Sequence, residues 1–152
     1  GPDITPPSIT NVYHTPIAPN YDKNVTVTST IKDNVKVNET ILFYTNEMAW
    51  HNTSMLPIGN DLYTATIPMQ PYNTTVQYQI SASDNSSNWA ISPLYSYTVI
   101  DNVPPQIAVF LNPAQPRASQ EVKVQVDMSE PPYASGDQAA NFHYRVNASQ
   151  WW

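Results

Sequence analysis

Polar and apolar residues exchange places at nearly every step along much of this chain. Val25, Val27, Ser29 and Ile31 fall on one side of an extended backbone, with Thr26, Thr28 and Thr30 on the other. Val76, Tyr78, Ile80 and Ala82 alternate in the same way with Gln77, Gln79, Ser81 and Ser83. A period of two is the mark of a strand with one face buried. Thr40 to Thr45 is a β-branched and aromatic run, and Asp61 to Ile67 reads as a strand entered by a turn at Gly59-Asn60-Asp61. With Ile9 to Tyr13 at the start and Leu94 to Ile100 at the close, six or seven strands are expected. No stretch carries a sustained 3.6-residue apolar stripe, and the Pro, Thr, Asn and Val content opposes helix. The pattern predicts an all-β protein.

Composition narrows the function classes. Charged residues make up 12% of the 152 residues, against about a quarter in an ordinary domain. The 12 acidic and 6 basic side chains give a net charge of −6, and scattered cations do not suit a phosphate backbone, so nucleic acid is excluded as a partner. No apolar run is long enough to span a bilayer, so no membrane insertion is expected. Cysteine is absent, which removes disulfides, thiolate nucleophiles and Cys-held metals. With Gly at 3, phosphate-cradling loops and nucleophile elbows have no room to occur. The histidines His14, His51 and His143 lack zinc-ligand spacing. No acidic residue stands in a catalytic context, and the expectation is that the chain is not an enzyme.

The Pro residues, 15 in all, reveal a repeat. Asp3-Ile4-Thr5-Pro6-Pro7-Ser8-Ile9 recurs as Asp101-Asn102-Val103-Pro104-Pro105-Gln106-Ile107. Each copy is followed by an alternating stretch, Asn24 to Thr28 in the first and Glu121 to Val126 in the second. Phe43-Tyr44 and Trp50 then find counterparts in His143-Tyr144 and Trp151. A period of about 100 residues suits tandem β-sandwiches. Paired prolines such as Pro104-Pro105 fix φ and supply no ladder donor, which makes a short stiff joint. The expected organisation is residues 1–2 as a tag remnant, 3–101 as one sandwich and 102–152 as a second, incomplete one. Either the chain stops inside that repeat, or another chain supplies the missing strands by edge pairing, or the second domain is smaller than the first and complete as it stands.

The segment Pro71 to Asp84, with Tyr78 followed by alternating apolar positions ending in Ala82, resembles strand F of fibronectin type III and related immunoglobulin-like modules. The resemblance runs from about Ile4 to Ile100 and restarts at Val103. It is greatest to the immunoglobulin-like repeats of large prokaryotic surface proteins, which often begin with an Asp-x-x-Pro-Pro joint. It implies that Tyr78 is the corner tyrosine, with its ring in the core and its hydroxyl bonded to nearby backbone. It further implies Asp84 to Asn88 as the polar F–G turn and Leu94 to Val99 as strand G. The family's Trp on strand B is missing here, and Trp50 lies later.

Asn-x-Ser/Thr triplets at Asn24, Asn38, Asn52, Asn73, Asn85 and Asn147 are candidate glycosylation sites. Turn chemistry is the alternative account of so much Asn. Calcium is the one cofactor considered: Asp84 with Asp101 and Asn102 are expected to meet near one end of the first sandwich and offer hard oxygens. Trp50, Trp89, Trp151 and Trp152 would serve either a sugar-stacking platform or packing, and the repeat-equivalent places of Trp50 and Trp151 favour packing. The functional expectation is a non-catalytic structural module of an extracellular cell-envelope, surface-layer or filament-type protein, archaeal by its sequon abundance. It would act as a rigid spacer or lattice tile, with neighbouring copies or further repeats as partners. The alternative is a glycan-binding or adhesive spacer of a secreted enzyme or adhesin, stiffened by calcium.

Overall fold

The computed structural model describes residues 1–136, 140, 141 and 143. Tyr144, Asn147, Trp151 and Trp152 lie outside the described residues. Those described form strands and turns without any helix, so the chain is all-β. Two units are distinguished, Gly1–Val103 with Pro132–Ser135, and Pro104–Pro131 with Gly136–Trp152.

The first unit is a sandwich of two antiparallel sheets. One sheet has the order β1-β2-β6-β5, built from β1 (Ser8–Thr15), β2 (Val25–Lys32), β5 (Leu56–Gly59) and β6 (Leu62–Ile67). The other has the order β4-β3-β7-β8, from β3 (Val37–Thr45), β4 (Trp50–Ser54), β7 (Thr75–Asp84) and β8 (Trp89–Ile91), and β9 (Tyr95–Thr98) also pairs with β7. The alternating stripes meet between the layers. Val25, Val27, Ile31 and Ile67 come from the first sheet and Leu42, Val76, Tyr78, Ile80 and Ala82 from the second, all within one buried cluster. Ser29 shares the inward stripe of β2, and its hydroxyl donates to the Thr10 carbonyl at 2.8 Å, so no buried polar group is stranded there.

Three strands exceed the sequence expectation: β4, β5 and β8. Two of them, β4 and β5, lie at sheet edges, where neither face must be apolar. The Pro57 of β5 is tolerated there because an edge strand can spare a donor. The expected strand G is β9 (Tyr95–Thr98), and β8 precedes it. β8 pairs with Ser81–Ser83 and β9 with Thr75–Tyr78, and Ser92-Pro93 separates them. Pro93 has no N–H to give a ladder. Ser92 fills the gap, since its amide donates to the Ile80 carbonyl and its hydroxyl accepts from the Ile80 amide, both at 2.8 Å. The turn expected at Gly59-Asn60-Asp61 has three successive positive φ values, 96°, 53° and 61°, which Gly, Asn and Asp tolerate better than most residues.

The second unit contains the hairpin of β10 (Gln106–Asn112) and β11 (Lys123–Ser129). Ile107 opposes Met128, Val109 opposes Val126 and Leu111 opposes Val124, so one face is apolar throughout. The other face is mixed, with Ala108 and Phe110 among Gln106, Asn112, Lys123, Gln125, Asp127 and Ser129.

Replacing a residue of the facing stripes should cost far more than replacing one at an edge. Leu42→Ala removes a wholly buried side chain and is expected to lower unfolding free energy by about 2–5 kcal/mol in urea titration. Ile58→Ala, at a position 58% exposed, is expected to stay within about 0.5 kcal/mol.

Candidate functional site

The most chemically distinctive place in the first unit is the end where β1 and β3 begin and β2 and β7 finish. Three chain segments bring carboxylates there: the N-terminal joint with Asp3, the β2–β3 turn with Asp33 and the turn after β7 with Asp84. One oxygen from each lies within 4.8 Å of the other two. Each carboxylate also shapes its own segment. Asp33 Oδ2 accepts the amides of Val35 and Lys36 at 2.9 and 2.8 Å. Asp84 Oδ1 accepts those of Ser86 and Asn88, both at 2.8 Å. Asp3 Oδ1 accepts the Thr5 amide and the Asn34 side-chain amide, each at 3.1 Å.

Asn88 ties two of the segments together. Its Nδ2 donates to Asp84 Oδ2 at 2.6 Å and to the Asp3 carbonyl at 3.0 Å. Asp84 is 1% exposed. Burial opposes its charge, yet the hydrogen bonds from the Asn88 side chain and backbone and from Ser86 outweigh it and hold the carboxyl below its ordinary value. After these bonds are made, Asp3 Oδ2 and Asp33 Oδ1 are shut off from water without any hydrogen-bond partner.

Sequence reasoning placed Asp84 beside Asp101 and Asn102, and the fold corrects this. β9 runs antiparallel to β7 with Thr98 opposite Thr75, whereas Asp84 closes the far end of β7 opposite Val37. Asp101 and Asn102 therefore leave from the other end of the sandwich. There Asp101 Oδ1 accepts the Val103 amide at 2.9 Å and Oδ2 the Ser135 amide at 2.8 Å, bonds that hold this carboxyl below its usual value. The Asn102 amide donates to Asn20 Oδ1 at 2.7 Å. Tyr133, also in the first unit, accepts the Tyr72 amide at 2.7 Å. Pro104 and Pro105 follow directly, and the division between units falls at Val103 and Pro104.

Tyr78 has its ring in the core, 1% exposed, but its hydroxyl meets a side chain and not nearby backbone. The partner is His14 Nδ1 on β1, at 2.8 Å, and His14 Nε2 lies 3.1 Å from the Ile17 carbonyl. A carbonyl only accepts, so in the neutral ring Nε2 carries the proton and Nδ1 accepts from Tyr78. Burial, then the neighbouring Tyr95, raises the Tyr78 hydroxyl to about 12. Burial likewise raises Tyr97, whose hydroxyl has no partner. These groups are protonated and packed, with no nucleophile among them.

Trp50 departs from the packing role expected of it. Tyr44 turns inward, so its β3 neighbour Thr45 turns outward, and Trp50 pairs with Thr45 on that outer face. Ser83 pairs with Trp89 on the same outer face. Trp50 is 55% exposed and Trp89 49%. The sequon residues Asn24, Asn38, Asn52, Asn73 and Asn85 are all exposed. Asn73 occupies a positive φ of 66°, so local backbone geometry already favours Asn there. Asp3, Asp33 and His14 escaped the sequence reading. Counting strand directions, which puts the start of β1, the end of β2 and the end of β7 together, is the signal that would have found the two carboxylates.

Among the described residues, no helix is long and apolar enough to cross a membrane. The chain matches no protein-family model and no curated protein sequence.

The lowered acidity constants fix a pH dependence. Asp84 and Asp101 bind protons less readily in the folded chain than unfolded, so they stabilise the fold above the ordinary carboxylate range and lose that effect as pH falls through their folded values. Thermal unfolding should be nearly constant from about pH 7 to about pH 5 and fall steeply below about pH 4. Asp101→Asn, measured by calorimetry at fixed ionic strength, should show a shallower acid limb.

Proposed function

We propose that the chain is a non-catalytic structural module of an extracellular cell-envelope or surface-layer protein. In this reading tandem immunoglobulin-like sandwiches act as a rigid spacer or lattice tile, and the β10–β11 hairpin begins the next repeat. The observation that carries it is the joint. Both copies of Asp-x-x-Pro-Pro make the same turn, with Asp3 Oδ1 accepting from the Thr5 amide and Asp101 Oδ1 from the Val103 amide. Each joint is also tied to the sandwich body, through Asn88 at one end and through Asn20 and Ser135 at the other. A flexible tether has no use for such bonds; a stiff strut does. The exposed sequon residues suit glycans on an outer surface, and the exposed apolar side chains of β10–β11 suit packing against further strands.

The two exposed tryptophans favour a second reading, a glycan-binding or adhesive module. Sugar-stacking modules present aromatic rings open to solvent on one sheet face, and Trp50 and Trp89 share such a face. Their register separates them, however. Trp50 is level with Gln77 of β7 and Trp89 with Ser83, about 20 Å apart along the strand direction and on opposite sides of the sheet's central pair. Only an extended oligosaccharide would reach both, so the spacer reading stands first.

Spin labels test it directly, since the chain contains no cysteine of its own. Thr26→Cys in the first unit and Gln125→Cys in the second should give a narrow distance distribution by pulsed electron resonance. Asn20→Ala combined with Asp101→Ala should broaden that distribution. A broad distribution in the unaltered joint would remove the spacer reading. On a glycan array the chain is expected to bind nothing above background. Saturable binding that disappears in Trp89→Ala would put the adhesive module in its place.

A further inference from the structure

We propose that Asn52 is a site of N-glycosylation whose first sugar packs on the rings of Trp50 and Phe43. The inference rests on the outer-surface reading and deepens it, selecting one triplet and giving the exposed ring beside it a task. Strand pairing carries it. Asn52 stands directly opposite Phe43 in the β3–β4 ladder, and Trp50, opposite Thr45, lies two residues before it. Side chains two apart share a face, so all three project from the outer face of the second sheet. Directly opposed side chains stand about 4.5–5.5 Å apart at Cβ, and same-face neighbours along a strand about 7 Å. One ring therefore flanks the Asn52 amide across the ladder and a second flanks it along its own strand. Trp50 is 55% exposed, Phe43 is half-buried, and Asn52 and the third residue of its triplet, Ser54, are exposed.

Backbone geometry gives no reason for an Asn at this place. The residue is depleted in strands, and the β3–β4 register runs without a shift from Ser54 to Trp50. The other described triplets have local accounts. Asn24 Oδ1 accepts the Met69 amide at 3.0 Å, Asn73 has its left-handed backbone and Asn85 occupies a turn. The Asn38 triplet ends in Thr40, 6% exposed, whose hydroxyl donates to the Met55 carbonyl at 3.1 Å. In the modification, Asn52 Nδ2 bonds to C1 of a sugar carried on a lipid diphosphate. The C1–O bond to the diphosphate breaks, the lipid diphosphate leaves with the electron pair, and the amide gives up one proton. A pyranose presents axial C–H bonds on one face, which suit the negative face of an aromatic ring. Covering Trp50 takes a large apolar surface out of water. β4 is also the outermost strand of its sheet, so a bulky polar chain on it blocks pairing with a neighbouring edge.

The full chain, secreted from a eukaryotic cell that transfers glycans built on N-acetylglucosamine, supplies the test. Peptide mapping by mass spectrometry is expected to find Asn52 occupied in most molecules. After enzymatic trimming to the first sugar, Tm should lie on the order of 3 °C above that of Asn52→Gln treated alike. Trp50→Ala, at a position exposed enough to spare the fold, should remove that difference while occupancy persists, and Trp50→Phe should restore most of it. Ring-current shifts should move proton resonances of the Asn52-linked sugar upfield, and Trp50→Ala should return them. A bare Asn52 on a chain glycosylated at other triplets overturns this inference and leaves the outer-surface reading standing. A chain bare at every triplet removes both this inference and the glycans of that reading. A Tm difference and sugar resonances that Trp50→Ala leaves unchanged overturn the packing role. The spin-label distances involve neither Asn52 nor its glycan, so the spacer reading fails or survives independently.

Discussion

Two rows of side chains must exclude water together: Val25, Val27, Ile31 and Ile67 on one sheet, and Leu42, Val76, Tyr78 and Ile80 on the other. Each strand taken alone has no use for its alternation. Only when the sheets face each other does the apolar half of every strand leave water at once, worth about 1.5–3 kcal/mol for each fully buried aliphatic side chain. That shared requirement sets the register, because a slip of one residue in β2 or β7 would turn its whole stripe outward. Register then decides everything at the strand ends. It brings Asp3, Asp33 and Asp84 to one end and sends Asp101 and Asn102 to the other.

The turns that connect these strands are made almost without glycine. Glu47, Asn60, Asp61, Asn73 and Ser87 all adopt positive φ between strands of the first unit, and Asn11 does so at the register shift within β1, whereas Gly59 is the one glycine of that unit to do so. Asn and Asp accept the left-handed region more readily than other residues because their short side chains bond locally to the backbone. The abundance of Asn in the sequence therefore has two causes, backbone geometry at places such as Asn60 and Asn73, and exposure to solvent at places such as Asn52. Counting triplets merges the two, and only the backbone angles separate them.

Much of the sandwich was legible in the sequence because its strongest signals are local. The alternations in β2 and β7, the turn at Gly59 and the buried ring of Tyr78 each depend on a few neighbouring residues. What escaped is what depends on partners distant in the chain. Edge strands β4 and β5 show no clean alternation, since a strand with few neighbours is under little pressure to present a pure face. The outward turn of Trp50 follows from pairing with Thr45, which its own surroundings in sequence do not encode. Tyr78 bonds His14, sixty-four positions away, and no short motif joins them. The carboxylate cluster was half visible: Asp84 stood out in its turn, but Asp3 and Asp33 join it only once strand directions are counted.

The scarcity of charge makes the placement of each carboxylate informative. A chain with 12% charged residues has little reason to gather three acids where β1 starts and β2 and β7 end, and less to bury one of them to 1% exposure. Hydrogen bonds from Asn88 and Ser86 satisfy Asp84 and organise its turn, so that residue alone has a local explanation. Asp33 has one too, through the amides of Val35 and Lys36. Those bonds use one oxygen of Asp33 and both oxygens of Asp84; the bonds to Asp3 use only its Oδ1. Capping a turn needs one acceptor oxygen, which Asn or Ser supplies without charge. The charge on each acid, and the second oxygens of Asp3 and Asp33, are left over after local structure is accounted for, and this surplus is concentrated where the joint meets the body.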